Sequence, residues 1–210
     1  LKESVAETSE EFMEKFFGGE DFTYPEMIQG LRQGVRELSL FPVLCGSATG
    51  NLGTLMLLDQ IVELLPNPME GNYHKATTQD GESEPFVVSP GGVPTAFVFK
   101  TVSDQYGKYS FVKVLSGEIT SDLSLVDSRT GATEKLGRLY NMRGKKAEEV
   151  KVLGCGDIGA IGKMDRVKTG DTLCDPRKVV SLKELPFAEP CYSVAIAPKT
   201  RGQEDKVAQG

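Results

Sequence analysis

The spacing of apolar positions changes twice along the chain. In residues 1–66 it is helical. Leu1, Val5, Phe12, Met13, Phe16 and Phe17 recur at roughly helical spacing, and Gly18-Gly19 ends the run. A second helix is predicted from Thr23. Thr23 can cap it, Pro25 suits its first turn, and Glu26 stands where a capping box needs a carboxylate. Met27, Ile28, Leu31, Val35 and Leu38 would form its inward face. The short apolar run from Leu40 to Cys45 predicts a buried strand. Asn51 predicts the cap of a third helix, with Leu55, Leu58, Ile61, Val62 and Leu65 facing inward and Pro66-Asn67-Pro68 as the stop.

Residues 67–94 are polar and rich in glycine and proline. They hold the single histidine, His74, and predict a linker or surface loop. From residue 95 to 175 the pattern alternates with period two. Thr95–Val102, Tyr109–Leu115, Leu123–Val126 and Glu149–Leu153 read as short strands separated by glycines. That spacing predicts an antiparallel β-barrel or sandwich. One further strand is predicted over 189–198. The predicted boundaries are 1–67, a linker at 68–90, a barrel at 91–178, and 179–210 as a second linker with the start of another unit.

Composition narrows the chemistry. The 210 residues are 39% hydrophobic and 26% charged, which suits a globular protein. The net charge of −6 argues against a free-standing nucleic-acid binder, so any RNA contact should be local. Cys45, Cys155, Cys174 and Cys191 lie far apart with no C-x-x-C pair. They predict buried, reduced thiols and a cytoplasmic home. Neither a membrane-length apolar run nor a signal peptide is visible, so no membrane partner is expected. The chain starts at Leu1 rather than Met, which points to a piece of a longer protein.

Several strings, in order, resemble elongation factor G, a ribosome-binding translational GTPase. They are Gly30-Leu-Arg-Gln33, Phe41-Pro-Val-Leu-Cys-Gly-Ser-Ala48, Leu64-Leu-Pro66, Val114-Leu-Ser-Gly117, Leu136-Gly-Arg138, Cys155-Gly-Asp-Ile-Gly-Ala160, Thr169-Gly-Asp-Thr-Leu-Cys-Asp-Pro176, and Glu189-Pro190 with Ala197-Pro-Lys-Thr200. The resemblance implies a mixed fold: an α/β remnant of a P-loop GTPase domain, then an antiparallel β-barrel of the domain II type, then one strand of a ferredoxin-like domain III. Ribosomal protection proteins and release-factor-type GTPases share much of this layout. The short turn Asp104-Gln-Tyr-Gly-Lys108 departs from the usual factor toward its divergent second form.

The resemblance also assigns roles. Gly46, Ser47 and Ala48 would present backbone N–H groups to the guanine O6 of GTP in the parent protein. The other GTPase motifs are missing. The sequence has no Gly-x4-Gly-Lys-Ser/Thr phosphate loop. Asp104-Gln-Tyr-Gly107 and Gly162-Lys-Met-Asp165 imitate nucleotide motifs by letters, yet both fall inside the barrel sequence. The fragment is therefore expected to hold no cofactor, while the parent binds GTP with Mg²⁺. No catalytic residue and no metal ligand set is expected, because the sole histidine lies in the predicted linker. Arg138, Arg143, Lys145 and Lys146 form the one basic cluster, at a predicted hairpin tip. They are the candidates for contact with small-subunit ribosomal RNA; the alternative is a solvated turn that keeps edge strands apart. Expected partners are the ribosome and the missing remainder of the GTPase domain. The competing reading is a stand-alone β-barrel adaptor.

Overall fold

The computed structural model describes residues 1–70, 74–78, 80–104, 107–164, 166–183 and 185–209. Gln105, Tyr106 and Asp165 of the two imitation motifs lie outside the described residues, as does the side chain of His74.

The first 66 residues form four helices: α1 (Lys2–Ala6), α2 (Glu10–Phe17), α3 (Tyr24–Arg36) and α4 (Thr54–Leu64). The first predicted helix is broken in two. Ser9 interrupts it because its Oγ accepts the Phe12 N–H at 3.2 Å and starts α2 afresh. The capping box of α3 forms as expected, with the Thr23 N–H donating to Glu26 Oε2 at 2.7 Å. Lys15 on α2 donates to the other oxygen of the same carboxylate at 2.7 Å. Val5, Phe12, Leu31 and Leu64 are the buried centre of this helical unit.

Two expectations for this region are corrected. Residues 40–45 form no strand, and Phe41 and Val43 are 73% and 90% exposed. No described strand runs beside them to complete a ladder. The α4 residues Leu55, Leu58, Ile61 and Val62 also face outward, with Leu55 77% and Val62 78% exposed; only Leu64 of that helix is buried. The apolar periodicity is real, but no described residue covers it.

The remainder is β-rich. β1 (His74–Thr78) and β2 (Ser83–Phe86) pair in the stretch expected to be a linker, and β13 (Val180–Leu182) completes a three-stranded sheet, order β13-β1-β2. The loop reading of 68–90 fails there because the hairpin needs only Ala76 and Phe86 of its own as apolar core residues; Val88, Leu115, Val180 and Leu182 supply the rest. The larger sheet has the order β7-β6-β12-β3-β4-β11-β8-β9 and is antiparallel throughout. Its strands are β3 (Thr95–Asp104), β4 (Gly107–Ser116), β6 (Ser124–Asp127), β7 (Thr133–Lys135), β8 (Leu139–Arg143), β9 (Lys146–Val150), β11 (Ile158–Gly162) and β12 (Thr172–Cys174). β5 (Ile119–Thr120) and β10 (Val152–Leu153) pair separately. Both ladders surround one core that includes Val98, Val112, Val114, Ile119, Leu125, Leu139, Leu153, Ile161 and Leu173, so the arrangement is barrel-like.

Residues 189–198 form no strand, contrary to expectation. Tyr192, Val194 and Ile196 are 83%, 68% and 79% exposed, again an apolar alternation without a described partner. A short helix, α5 (Glu204–Gln209), lies near the end of the chain. The cysteines also divide differently from expectation. Cys174 is buried and Cys155 partly so, with both thiols pushed up by burial, whereas Cys45 and Cys191 are exposed.

Candidate functional site

The loop holding Gly46, Ser47 and Ala48 joins the irregular segment before it to α4. Its shape comes from its own backbone. The Ser47 N–H donates to Leu52 O and the Leu52 N–H donates back to Ser47 O, both at 3.0 Å. Ser47 Oγ accepts the Gly50 N–H at 3.1 Å. Asn51 closes the turn with φ of 50°, a left-handed value that asparagine tolerates. It does not cap α4 as predicted. Gly53 holds that position with φ of 77°, and Asn51 Oδ1 instead accepts from Thr54 Oγ1 at 2.7 Å. A Cβ on Gly46 would stand 2.9 Å from Leu52 O, so the bridge needs glycine there.

This geometry separates the three predicted guanine-contact residues. The Ser47 N–H is already committed to Leu52 O. Among the described residues the Ala48 and Gly46 N–H groups donate to no backbone carbonyl. Gly46 and Ala48 are exposed and Ser47 is half-buried, so the loop lies open on the surface.

The four basic candidates are brought to one hairpin. β8 and β9 pair from Leu139↔Val150 to Arg143↔Lys146, and Gly144 turns the corner with φ of 59°. Half of the positive charge is answered within the hairpin. Arg138 Nη1 lies 3.3 Å from Glu149 Oε2, and Arg143 Nη2 lies 3.3 Å from Glu148 Oε2. Among the described residues Lys145 and Lys146 meet no carboxylate, so the tip itself stays cationic. Arg138 also borders a cavity of about 440 Å³ with Asp122, Tyr140, Glu149 and Lys163.

One ionic cluster was not read from the sequence. Arg129 Nε and Nη2 donate to the two oxygens of Asp171 at 2.6 and 2.9 Å, and its own N–H donates to Asp127 Oδ1 at 3.0 Å. Both carboxylates are nearly sealed from solvent, with side-chain exposures of 1% for Asp127 and 3% for Asp171. Burial alone would raise the Asp171 pKa; the hydrogen bonds from Arg129 and the Lys168 N–H outweigh it and hold the carboxyl below its ordinary value. Asp127 and Asp171 lie far apart in sequence, so no local spacing could mark them. Their arrangement ties β6 to the 168–171 turn and has the character of a structural brace. Among the described residues no group of His, Cys, Asp and Glu is placed to hold a metal ion. No described helix is long and apolar enough to cross a membrane.

The described chain is thus a helical unit followed by an antiparallel, barrel-like β-unit. Residues 94–176 match the family model described as elongation factor G domain 2. The chain is also similar to a crystal structure of a protein from Thermus thermophilus, with a TM-score of 0.72 and 27% sequence identity. That match covers 99% of this chain and 29% of the Thermus chain, so this chain spans less than a third of that protein's length. The resemblance to elongation factor G drawn from the sequence motifs thus holds over residues 94–176.

Proposed function

We propose that this chain is the coupling module of a ribosome-binding GTPase that drives translocation. The observation that carries the reading is the elongation factor G domain 2 match at residues 94–176, set after a helical preface that contains the Gly46–Ala48 loop. In the whole protein the preface completes the GTPase domain. The exposed apolar side of α4 meets the rest of that domain. The Gly46 and Ala48 N–H groups face the guanine of GTP, which with Mg²⁺ is held by parts of the parent outside this chain. The barrel moves with the nucleotide site as one body and transmits its state to later domains.

The β8–β9 tip is the ribosome-facing element in this reading. Lys145 and Lys146 supply two uncompensated charges for phosphates of small-subunit RNA, while Arg138 and Arg143 stiffen the hairpin through their glutamates. The test is charge reversal of Lys145 and Lys146 in the full-length factor. Ribosome affinity should fall and its salt dependence should flatten by about two released counterions. Unchanged affinity and slope would move the contact elsewhere on the molecule.

A further inference from the structure

The outer face of the barrel carries an aromatic surface that the coupling role does not use. Val98, Val112, Val114, Leu139 and Ile161 point into the core, so alternation turns their neighbours outward. On β4 these are Tyr109, Phe111 and Lys113; on β8 the outward residue is Tyr140. Between these strands β11 presents Ala160 and Gly162 opposite the rings, and the exposed Ile158 opposite Lys113. Ala160 stands opposite both Phe111 and Tyr140, and Gly162 stands opposite Tyr109. The Tyr140 ring lies so close over Gly162 that a Cβ there would be 3.3 Å from its Cε2. Tyr109 meets Tyr140 edge-on at 5.6 Å across this shallow valley. On the far side, β3 bulges between Val98 and Lys100, placing Phe99 within 6.3 Å of Phe111 and Lys100 opposite it.

All four rings are half-buried. The Lys100 ammonium sits 5.7 Å from the Phe111 centroid, over one face of that half-buried ring. Among the described residues neither Lys100 nor Lys113 meets a carboxylate. The Arg138–Glu149 pair at one border of the face is internally neutral. The local balance is therefore cationic on a chain whose net charge is −6. Flat aromatic rings beside unpaired lysines suit one class of partner: a flexible polyanion whose units also carry flat apolar faces.

We propose that the β3-β4-β11-β8 face is a stacking platform for single-stranded nucleic acid. Bases stack on Tyr140 and Phe111, and Lys100 and Lys113 hold the phosphates on either side. A duplex offers its phosphates but keeps its bases stacked internally, so it cannot use the rings. This surface is separate from the β8–β9 tip, whose lysines lie beyond the platform.

The test is fluorescence anisotropy with the 210-residue chain and a fluorescein-labelled oligouridylate of about twelve nucleotides, a length within the usual site size for such surfaces. The same RNA annealed to its complement is the comparison. Single strand should bind more tightly than duplex. Tyr140→Leu keeps apolar bulk but removes the aromatic face, and should weaken single-strand binding about 5- to 100-fold with duplex binding unchanged. Tyr140→Phe should retain it. Lys100→Glu with Lys113→Glu should weaken binding and flatten its salt dependence. Circular dichroism checks that each variant is folded. Absence of binding at low ionic strength, equal affinity for duplex, or a Tyr140→Leu protein that binds like the parent would each overturn the platform. Loss of binding on reversing Lys145 and Lys146 alone would assign the RNA to the tip instead, overturning the platform while leaving the ribosomal reading intact.

Discussion

Pro68 rests on Gly156, with its Cγ 3.0 Å from the point where a side chain on that glycine would begin. The contact joins the end of the helical preface to the turn between β10 and β11. Both sides are firmly held. The Gly156 N–H donates to Val114 O at 2.8 Å, and Gly156 has φ of 92°. On the other side Glu70 accepts the Asn67 N–H at 2.9 Å and receives both Arg32 Nη2 contacts, at 2.8 and 3.0 Å. Arg32, the 67–70 turn and the barrel turn thus form a continuous strut.

Gly156→Ala should strain this strut twice, through left-handed backbone and through collision with Pro68. The expected loss is about 1–3 kcal/mol of unfolding free energy. Urea denaturation measures it. Amide exchange in the 67–70 turn should quicken in the same variant, and an unchanged exchange rate there would show that the two segments are not mechanically joined.

Arg129→Ala should cost more than an ordinary surface change, because it leaves Asp127 and Asp171 sealed from water with fewer donors. The expected cost is about 1–3 kcal/mol, arising from the stranded carboxylates. Arg129 itself is 39% exposed, so solvent screens its own share of the attraction. The folded-state pKa of Asp171 is lowered, so its contribution is present above the unfolded value and disappears as pH falls through the folded one. The difference in stability between parent and variant, followed by urea midpoint, should therefore shrink in acid.

Glu26 gives a second acid-sensitive contact, in the helical preface. Its hydrogen bond from Lys15, then those from the Thr23 N–H and hydroxyl, hold its pKa at about 2 against an ordinary 4.5. The stabilisation is whole above 4.5 and is lost as pH falls through about 2. Glu26→Gln should flatten the pH dependence of helix content across that window, read by circular dichroism.

GTP should bind this chain negligibly. The loop offers two N–H groups, at Gly46 and Ala48, and hydrogen bonds of this kind contribute about 1 kcal/mol each. Even millimolar affinity requires about 4 kcal/mol. Isothermal titration calorimetry checks this directly; micromolar binding would require a phosphate site that the sequence does not contain.

Leu55→Gln with Val62→Glu should leave the thermal midpoint near that of the parent, since both residues are already in water. Concentration-dependent self-association should decrease, because the pair lies on the large apolar side of α4. Sedimentation velocity over a range of concentrations measures the change.

The barrel strands were legible because each has one face in a core and one outside, so period two survives in the letters. Val112, Val114 and Tyr109, Phe111 interleave cleanly on β4. The α3 capping box was legible because its partners stand three residues apart. The β1–β2 hairpin was not, since most of its residues are polar and its core is completed by Leu115 and Val180 from far along the chain. The opposite error occurred at 40–45 and 189–198. Apolar runs there announce burial but cannot name what does the burying. Of the candidate site, the loop and the hairpin could be located from motifs. The use of the Ser47 N–H by Leu52, and of two arginines by neighbouring glutamates, depended on backbone closure and cross-strand register that spacing alone does not report.

The reciprocal bonds between Ser47 and Leu52 have a final consequence for recognition. A loop clasped by its own main chain has already surrendered its freedom during folding. On the role proposed for the loop in a whole GTPase, a purine edge arriving at Gly46 and Ala48 would meet donors held in position and would not have to organise them. Discrimination between bases would then come from fixed spacing rather than from adaptation, and loosening the clasp by substituting Gly46 would blunt selectivity before it altered the fold.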